Sequence, residues 1–164
     1  MNIIEQLMME HAALRLHFRF ARETNSDRIY EVEEFVRNCH AKTEDEIVFP
    51  KLMGSLASPG DEKLKQVLLR LEADHKLIDT IGDQIKVRTA QGDLDALRKR
   101  ILLYMNTVES HNSSEESLIF QHWNATDSDE QEVVSKARKI IEEFGLNRYL
   151  IITGISEKLL DSVH

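Results

Sequence analysis

The sequence predicts an all-α fold, an up-down-up-down four-helix bundle with additional C-terminal helices. Only two prolines and six glycines occur among 164 residues, which leaves too few turn formers for a protein built from many short strands. Apolar residues recur every three or four positions over long stretches, as on the buried face of a helix. Four such stretches of roughly 20 to 30 residues alternate with short polar breaks, a pattern typical of an antiparallel bundle.

The first two helices are predicted in the N-terminal third of the chain. The first covers residues 3–21, with apolar positions in helical phase at Ile4, Leu7, Leu14 and Phe18. Residues 25–27 interrupt the pattern and offer N-caps for the second helix. That helix ends near residues 50–54, and its apolar face is marked by Ile29, Val32, Val36 and Ile47.

The third and fourth helices follow residues 55–61, the clearest loop in the sequence. The third helix closes near residues 89–92, and its apolar positions are Leu64, Leu68, Leu71, Ile78 and Ile85. Asp93 caps the fourth helix, which continues to the break at residues 124–128. Its stripe consists of Leu97, Ile101, Tyr104, Val108 and Leu118.

The last two predicted helices are shorter. One covers residues 129–144 and is stopped by Gly145, and the other covers residues 147–162. Residues 1–128 therefore constitute the predicted bundle domain, and residues 129–164 a C-terminal helical extension. We expect this extension to pack on the bundle or to mediate association, including formation of a homo-oligomer.

The composition excludes several classes of function. The formal net charge of −8 disfavours binding to nucleic acid, whose phosphates repel an acidic surface. The single cysteine excludes an intramolecular disulfide framework and a cysteine-rich metal site, and is consistent with a reducing compartment. The longest apolar runs are about five residues, too short to span a membrane, and the first residues show no secretory signal. We therefore expect a cytoplasmic protein with no nucleic-acid or membrane partner.

An internal repeat marks the residues that carry the chemistry. Residues 40–50 align without gaps with residues 111–121, and both read His, three residues, Glu, an acid, one residue, two aliphatics and Phe. Upstream of the two repeats lie His11 and His75, each directly preceded by an acid. The bundle therefore consists of two helical hairpins, each with one lone histidine and one His-x-x-x-Glu pair.

The helical phase of these residues predicts a polar cluster in the core. A step of four residues turns an α-helix by about 400°, so the histidine and glutamate of each pair share one face. Each lone histidine also continues an apolar stripe. Six polar side chains would then enter the core at similar heights: His11, His40, Glu44, His75, His111 and Glu115. Burial of an unpaired carboxylate costs several kcal/mol of folding free energy, whereas metal coordination satisfies all six residues at once.

The number and type of these side chains predict a two-metal site. Four histidines and two glutamates suit two adjacent first-row transition ions bridged by the two carboxylates. Glu44 and Glu115 come from different halves and are the predicted bridges, with the four histidines as terminal ligands. Nitrogen and oxygen ligands favour iron or manganese over a closed structural zinc site. Coordination positions stay open for oxo, hydroxo, dioxygen, peroxide or nitric oxide.

The ordered pattern resembles the hemerythrin-like family, the HHE cation-binding domain. The resemblance covers roughly residues 3–122. It implies a non-haem di-iron centre with an oxo or hydroxo bridge, held by the same six residues, that binds or senses O2, peroxide or nitric oxide. Manganese and zinc are the alternative metals. The alternative functions are a metal-responsive regulatory module without turnover and low-level peroxide or nitric oxide detoxification, so the resemblance does not decide whether the chain is an enzyme.

Two positions depart from the oxygen-carrying members of that family. Those members have a second histidine four residues after the third-helix histidine, where this chain has Asp79. Asp79 could be a seventh ligand, a hydrogen-bond partner of a ligand, or neither. The carriers' fourth-helix carboxylate stands five residues after its histidine, a place that Glu116 occupies here. A residue at plus five lies about 140° round the helix from His111, so Glu115, at plus four, is the predicted ligand.

The remaining candidate residues are predicted to serve structure. Three histidines do not fit the geometry of the cluster and are expected to be structural or exposed: His17, His122 and His164. Cys39 points about 100° away from His40, which indicates a small buried residue and not a thiolate ligand. Glu72, three residues before His75, could hydrogen-bond or ligate, but solvation at the surface is the expected outcome.

Overall fold

Four long helices form a bundle, and three shorter helices follow. The structure is a computed structural model that describes residues 1–24, 28–124 and 127–161. Within these ranges all regular structure is helical and no strand occurs, which confirms the all-α prediction. None of the described helices is both long and apolar enough to cross a membrane. The helices are α1 (Ile3–Thr24), α2 (29–55), α3 (Glu62–Gln91), α4 (Leu94–Leu118), α5 (Asp127–Phe144), α6 (Leu146–Thr153) and α7 (Glu157–Leu160).

Capping chemistry sets several helix ends. Asp93 accepts a hydrogen bond from the backbone N–H of Ala96 at 3.0 Å, as its predicted N-cap role requires. Gly92 (φ +71°) and Gly145 (φ +109°) end α3 and α5 in the left-handed region, which glycine adopts without steric strain. The N-cap predicted at residues 25–27 lies outside the described residues.

The fourth helix is shorter than its sequence pattern predicts. α4 ends at Leu118, and a short 3-10 turn (Phe120–His122) replaces its last residues. Leu118 is 40% exposed, so its predicted place on the buried stripe is wrong. The neighbouring Ile119 is fully buried instead, because the backbone changes direction where the helix ends.

The predicted last helix, residues 147–162, is two helices in the structure. Gly154 (φ +68°) ends α6, and Ser156 caps α7 by accepting a hydrogen bond from the Leu159 N–H at 3.3 Å. A left-handed glycine followed by a serine N-cap is a sequence signal for such a break. The last three residues, 162–164, lie outside the described part of the chain.

The second helix is not a uniform α-helix. Two π-helical turns, Val36–His40 and Glu44–Val48, interrupt it, and the N–H after each donates to the carbonyl five residues back. A strict four-residue repeat drifts by about 40° per step in an α-helix. Because a π turn contains more residues, the two turns cancel this drift. One face therefore buries every fourth residue: Val32, Val36, His40, Glu44, Val48 and Leu52.

The C-terminal helices cover one side of the bundle. α5 and α6 both contact α1 and α2. Their buried residues belong to the same apolar core as the bundle, among them Val133, Ala137, Ile141, Tyr149 and Ile152. The division of the chain at residue 128 and a role of this segment in self-association stay predictions.

Polar contacts also attach this segment to the bundle. Glu130 of α5 accepts hydrogen bonds from the Ile3 N–H at 2.6 Å and from the Trp123 indole at 2.9 Å. His17 of α1 donates from Nε2 to the Ile152 carbonyl at 2.8 Å. His17 thus has the structural role that the sequence predicts.

Candidate metal centre

The structure brings the six sequence-predicted residues together in the bundle core. All six are at most 5% exposed, and every bundle helix supplies at least one of them: His11 from α1, His40 and Glu44 from α2, His75 from α3, and His111 and Glu115 from α4. They form two groups of four whose candidate ligand atoms lie within 4.8 Å of one another. The two glutamates belong to both groups, so each group has its own histidine pair.

The first half-site contains His11 and His40. Their Nε2 atoms are 3.2 Å apart. Glu44 Oε1 lies 3.4 Å from His40 Nε2, and Glu115 Oε2 lies 3.5 Å from His11 Nε2. Two nitrogen ligands at right angles on one ion, each about 2.1 Å from it, are about 3 Å apart, so the spacing suits a single metal ion.

The second half-site contains His75 and His111. Their Nε2 atoms are 2.8 Å apart. Glu44 Oε2 lies 3.2 Å from His75 Nε2, and Glu115 Oε1 lies 3.3 Å from His111 Nε2. Each glutamate therefore directs one oxygen to each half-site, which is the arrangement that a bridging carboxylate requires.

The carboxylate oxygens show whether metal ions fit this cluster. All four oxygens of Glu44 and Glu115 are buried, and within the described chain none has a hydrogen-bond partner. Two unsatisfied buried carboxylates are costly in a protein core. Cations between the histidine pairs would satisfy all four oxygens, so the donor set fits two metal ions.

The electrostatics of the cluster also indicate a lack of positive charge. Burial disfavours a protonated His40, but the carboxylates of Glu44 and Glu10 outweigh burial and raise the pKa of His40 to about 9. Burial and repulsion from Glu44 together raise the pKa of the Glu115 carboxyl group. Both shifts favour taking up positive charge, which bound metal ions would supply.

Carboxylates hold the histidine rings from the side away from the cluster. An acid that accepts a hydrogen bond from Nδ1 selects the tautomer in which Nε2 is free to bind a metal. Three rings have such a partner within 2.8 Å: His11 with Glu116, His40 with Glu10, and His75 with Asp45. His111 is the exception, because its Nδ1 lies 3.8 Å from Asp74 Oδ2 and has no partner in the described chain.

The four acids beside the ring Nδ1 atoms are called the outer acids: Glu10, Asp45, Asp74 and Glu116. The sequence shows these residues but not their roles. Each is the direct neighbour of a predicted ligand, yet it faces a histidine on another helix. Neighbouring residues point about 100° apart round a helix, so an acid next to a core residue is directed toward the adjacent helix. That geometry is the signal from which their role could have been predicted.

The phenylalanine that ends each repeat covers a lone histidine. The ring centroids of Phe49 and His75 are 5.5 Å apart, with an angle of 6° between the ring planes. The rings of Phe120 and His11 stack at 5.5 Å and 22°. This stacking restricts rotation of both imidazoles and shields them from water, a role that sequence spacing alone did not reveal.

Asp79 lies outside both groups of candidate ligands. Its carboxylate is 45% exposed and lies 3.4 Å from Arg37 Nε, with which it forms an ion pair. The structure therefore supports the last of the three roles open to Asp79: it is neither a ligand nor a hydrogen-bond partner of a ligand ring. The two half-sites consequently match, each with two imidazoles and one oxygen from each glutamate.

The other minor candidates also lie outside the cluster. His122 and Glu72 are exposed, and His164 is not among the described residues. Cys39 is buried as predicted, and burial, with the nearby Glu10 carboxylate, raises the pKa of its thiol. Cys39 belongs to neither group of candidate ligands.

Comparison with known proteins assigns the bundle to one family. Residues 2–123 match the family described as the hemerythrin HHE cation binding domain. The matched span contains α1 to α4 and all six residues of the cluster, and it ends before α5. Searches of curated proteins and of solved structures gave no significant match.

Proposed function

Because the chain belongs to the hemerythrin family of HHE cation-binding domains, we propose that it is a non-haem di-iron protein that binds or senses O2, peroxide or nitric oxide. The proposed ligands are the six residues of the cluster, with the four histidines terminal and both glutamates bridging. The observation that supports this function most directly is the division of four unpartnered carboxylate oxygens between two histidine pairs. The proposal includes the cytoplasmic location that the sequence predicts.

Iron is the proposed metal because of the donor types. Imidazole nitrogen and carboxylate oxygen suit iron, and neither group of candidate ligands contains a cysteine. Two iron ions held by four nitrogen and four oxygen atoms would supply redox chemistry and open positions for a small ligand. Manganese and zinc can use the same donors, so the metal content of the purified protein decides between them.

The protein's own side chains prepare the cluster for this role. Glu10, Asp45 and Glu116 hold three imidazoles by Nδ1, which leaves Nε2 directed into the cluster. Phe49 and Phe120 keep water from two of the rings. A dry, rigid setting of this kind strengthens electrostatic interactions within a site.

Metal analysis with a matched pair of variants tests the proposal. Protein produced in iron-replete medium should contain about two irons per chain, and its visible absorption should change with azide, peroxide or nitric oxide. His40→Ala removes a proposed ligand and should lower the iron content. His122→Ala removes an exposed histidine outside the cluster and should not. Native protein without iron, or equal iron in both variants, would contradict the proposal.

A metal-responsive regulatory module is the second candidate. It is favoured by the packing of α5 and α6 against the two helices that carry His11 and His40, because changes at the cluster could reach the surface of that segment. Chelation should then alter the oligomeric state or the exposed surface. Unchanged helicity, oligomeric state and proteolytic pattern after chelation would exclude this candidate, and steady turnover of peroxide or nitric oxide would indicate an enzyme.

A further inference from the structure

A tyrosine from beyond the family match is connected to the metal cluster. Tyr149 lies on α6, and its side chain is fully buried at 0% exposure. Its hydroxyl donates a hydrogen bond to Glu10 Oε1 at 2.7 Å. The other oxygen of the same carboxylate, Glu10 Oε2, accepts from His40 Nδ1 at 2.8 Å. One buried carboxylate therefore connects a C-terminal helix with a proposed metal ligand.

The Glu10 carboxylate is held on both of its oxygens. Gln6 Nε2 also donates to Oε1, at 3.0 Å, and Gln6, Glu10 and Tyr149 are all buried. Hydrogen bonds to a charged acceptor are about twice as strong as neutral ones. Burial and the Glu10 charge raise the pKa of Tyr149 well above its usual value, so the hydroxyl remains a donor. Glu10 can then set the orientation of the His40 ring.

Among the described residues, the second hairpin has no comparable network. Its equivalent acid, Asp74, lies 3.8 Å from His111 Nδ1, too far for a hydrogen bond. A cavity of about 390 Å³, lined in part by Arg70, Asp74 and His111, lies at this position. One ring of the first half-site is thus fixed by a buried chain of hydrogen bonds, whereas its counterpart in the second half-site faces a polar cavity.

We propose that Tyr149 is a positioning residue of the metal centre, which acts through Glu10 to hold His40 in its metal-binding orientation. This inference rests on the proposed function, because it requires that His40 binds a metal ion. It makes the segment beyond residue 123 a part of the centre. Without the hydroxyl, Glu10 keeps only Gln6 on Oε1, and the carboxylate and the His40 ring gain freedom.

Two tyrosine variants provide a matched test. Tyr149→Phe removes the hydroxyl that bonds Glu10. Tyr104→Phe removes an equally buried hydroxyl that has no hydrogen-bond partner in the described chain. Each protein is loaded anaerobically with Fe²⁺, and release of the metal to a chelator is followed in time. Loss of a group that supports a ligand lowers metal affinity about 10–100-fold. In Tyr149→Phe, we expect iron to be released from one of the two sites at least about tenfold faster than in the native protein. In Tyr104→Phe, we expect the native release rate.

A double-mutant cycle identifies the route of the effect. Glu10→Gln should itself accelerate release, and adding Tyr149→Phe to it should change little if both act on one path. Native release rates in Tyr149→Phe, or independent additive effects, would overturn the proposal. If Tyr149→Phe does not fold, judged by far-UV circular dichroism, Glu10→Gln alone decides, since native release from it also overturns the proposal. If the proposed di-iron function itself is wrong, the result is different, because the native protein would then take up no iron.

Discussion

Glu10 and Asp74, the acids that precede the two lone histidines, differ in length by one methylene group. Glu10 of the first hairpin reaches His40 Nδ1 at 2.8 Å, whereas the shorter Asp74 at the equivalent place stays 3.8 Å from His111 Nδ1. His111 Nδ1 therefore has no hydrogen-bond partner among the described residues, and no side chain there fixes the orientation of its ring. The second half-site is therefore the less firmly held of the two, although both contain the same ligand types.

Lengthening Asp74 should strengthen the second half-site. Asp74→Glu adds the missing methylene and allows a hydrogen bond to His111, so release of metal from one site should slow by roughly tenfold. Asp74→Asn keeps the shorter side chain and should release metal like the native protein. Release kinetics with a chelator measure both variants, and identical behaviour of the two would show that side-chain length at this position is irrelevant.

At the scale of the helices, α2 combines an expected and an unexpected feature. The spacing of His40 and Glu44 correctly predicts a shared face, because a four-residue step nearly completes one turn. The two π turns that keep this face aligned along the helix were not predicted. The sequence signal for these turns was the four-residue repeat of core positions from Val32 to Leu52. Its period is longer than the 3.6 residues of an α-helix turn.

An ion-pair network around the buried Glu33 joins α2 to α3. Glu33, 2% exposed, pairs with Arg37 on its own helix at 2.8 Å and with Lys86 of α3 at 2.9 Å. Gly82 of α3 faces this network, and a Cβ added there would lie 2.5 Å from Glu33 Oε1. A side chain at position 82 would therefore have to displace the Glu33 carboxylate or the Arg37 guanidinium group.

Alanine at two helical glycines should have opposite effects. Gly82→Ala gains about 1 kcal/mol of helix propensity, but crowding of the network costs about 1–3 kcal/mol, so a net loss of stability is expected. Gly54, near the end of α2, would meet nothing within 4 Å of an added Cβ, and Gly54→Ala should stabilise by about 0.5 kcal/mol. Urea unfolding of the metal-free proteins measures both, and a stabilised Gly82→Ala would contradict the packing argument.

At the scale of the whole molecule, the cluster of six candidate ligands lies within the core to which every long helix contributes. The apolar core includes residues from α1 through α7, so the C-terminal helices and the bundle share one interior. The four carboxylate oxygens at its centre have no hydrogen-bond partner in the described chain, so binding of cations there would favour the folded state. Metal binding and the stability of the entire fold are therefore linked.

Metal removal should lower the thermal stability of the whole protein. A ligand that binds only the folded state stabilises it by about 2.7 kcal/mol at 100 times its dissociation constant. For a chain of this size that corresponds to a rise in Tm of roughly 5–10 °C. Thermal unfolding with iron and with a chelator measures the difference. Glu44→Gln/Glu115→Gln removes both bridging carboxylates and should abolish the response to chelator, and a native Tm that ignores the chelator would refute the linkage.

Periodicity along the chain was sufficient to predict the helical class, most helix boundaries and the burial of all six cluster residues, because the face on which a residue lies is a local property of its helix. Contacts between helices were decided only by packing. The hydrogen bond from Tyr149 to Glu10 joins residues 139 positions apart, and the ion pair with Arg37 holds Asp79, whose role the sequence left open, outside the site. Local spacing carries no information about such partners, since they depend on which helix faces come together in three dimensions.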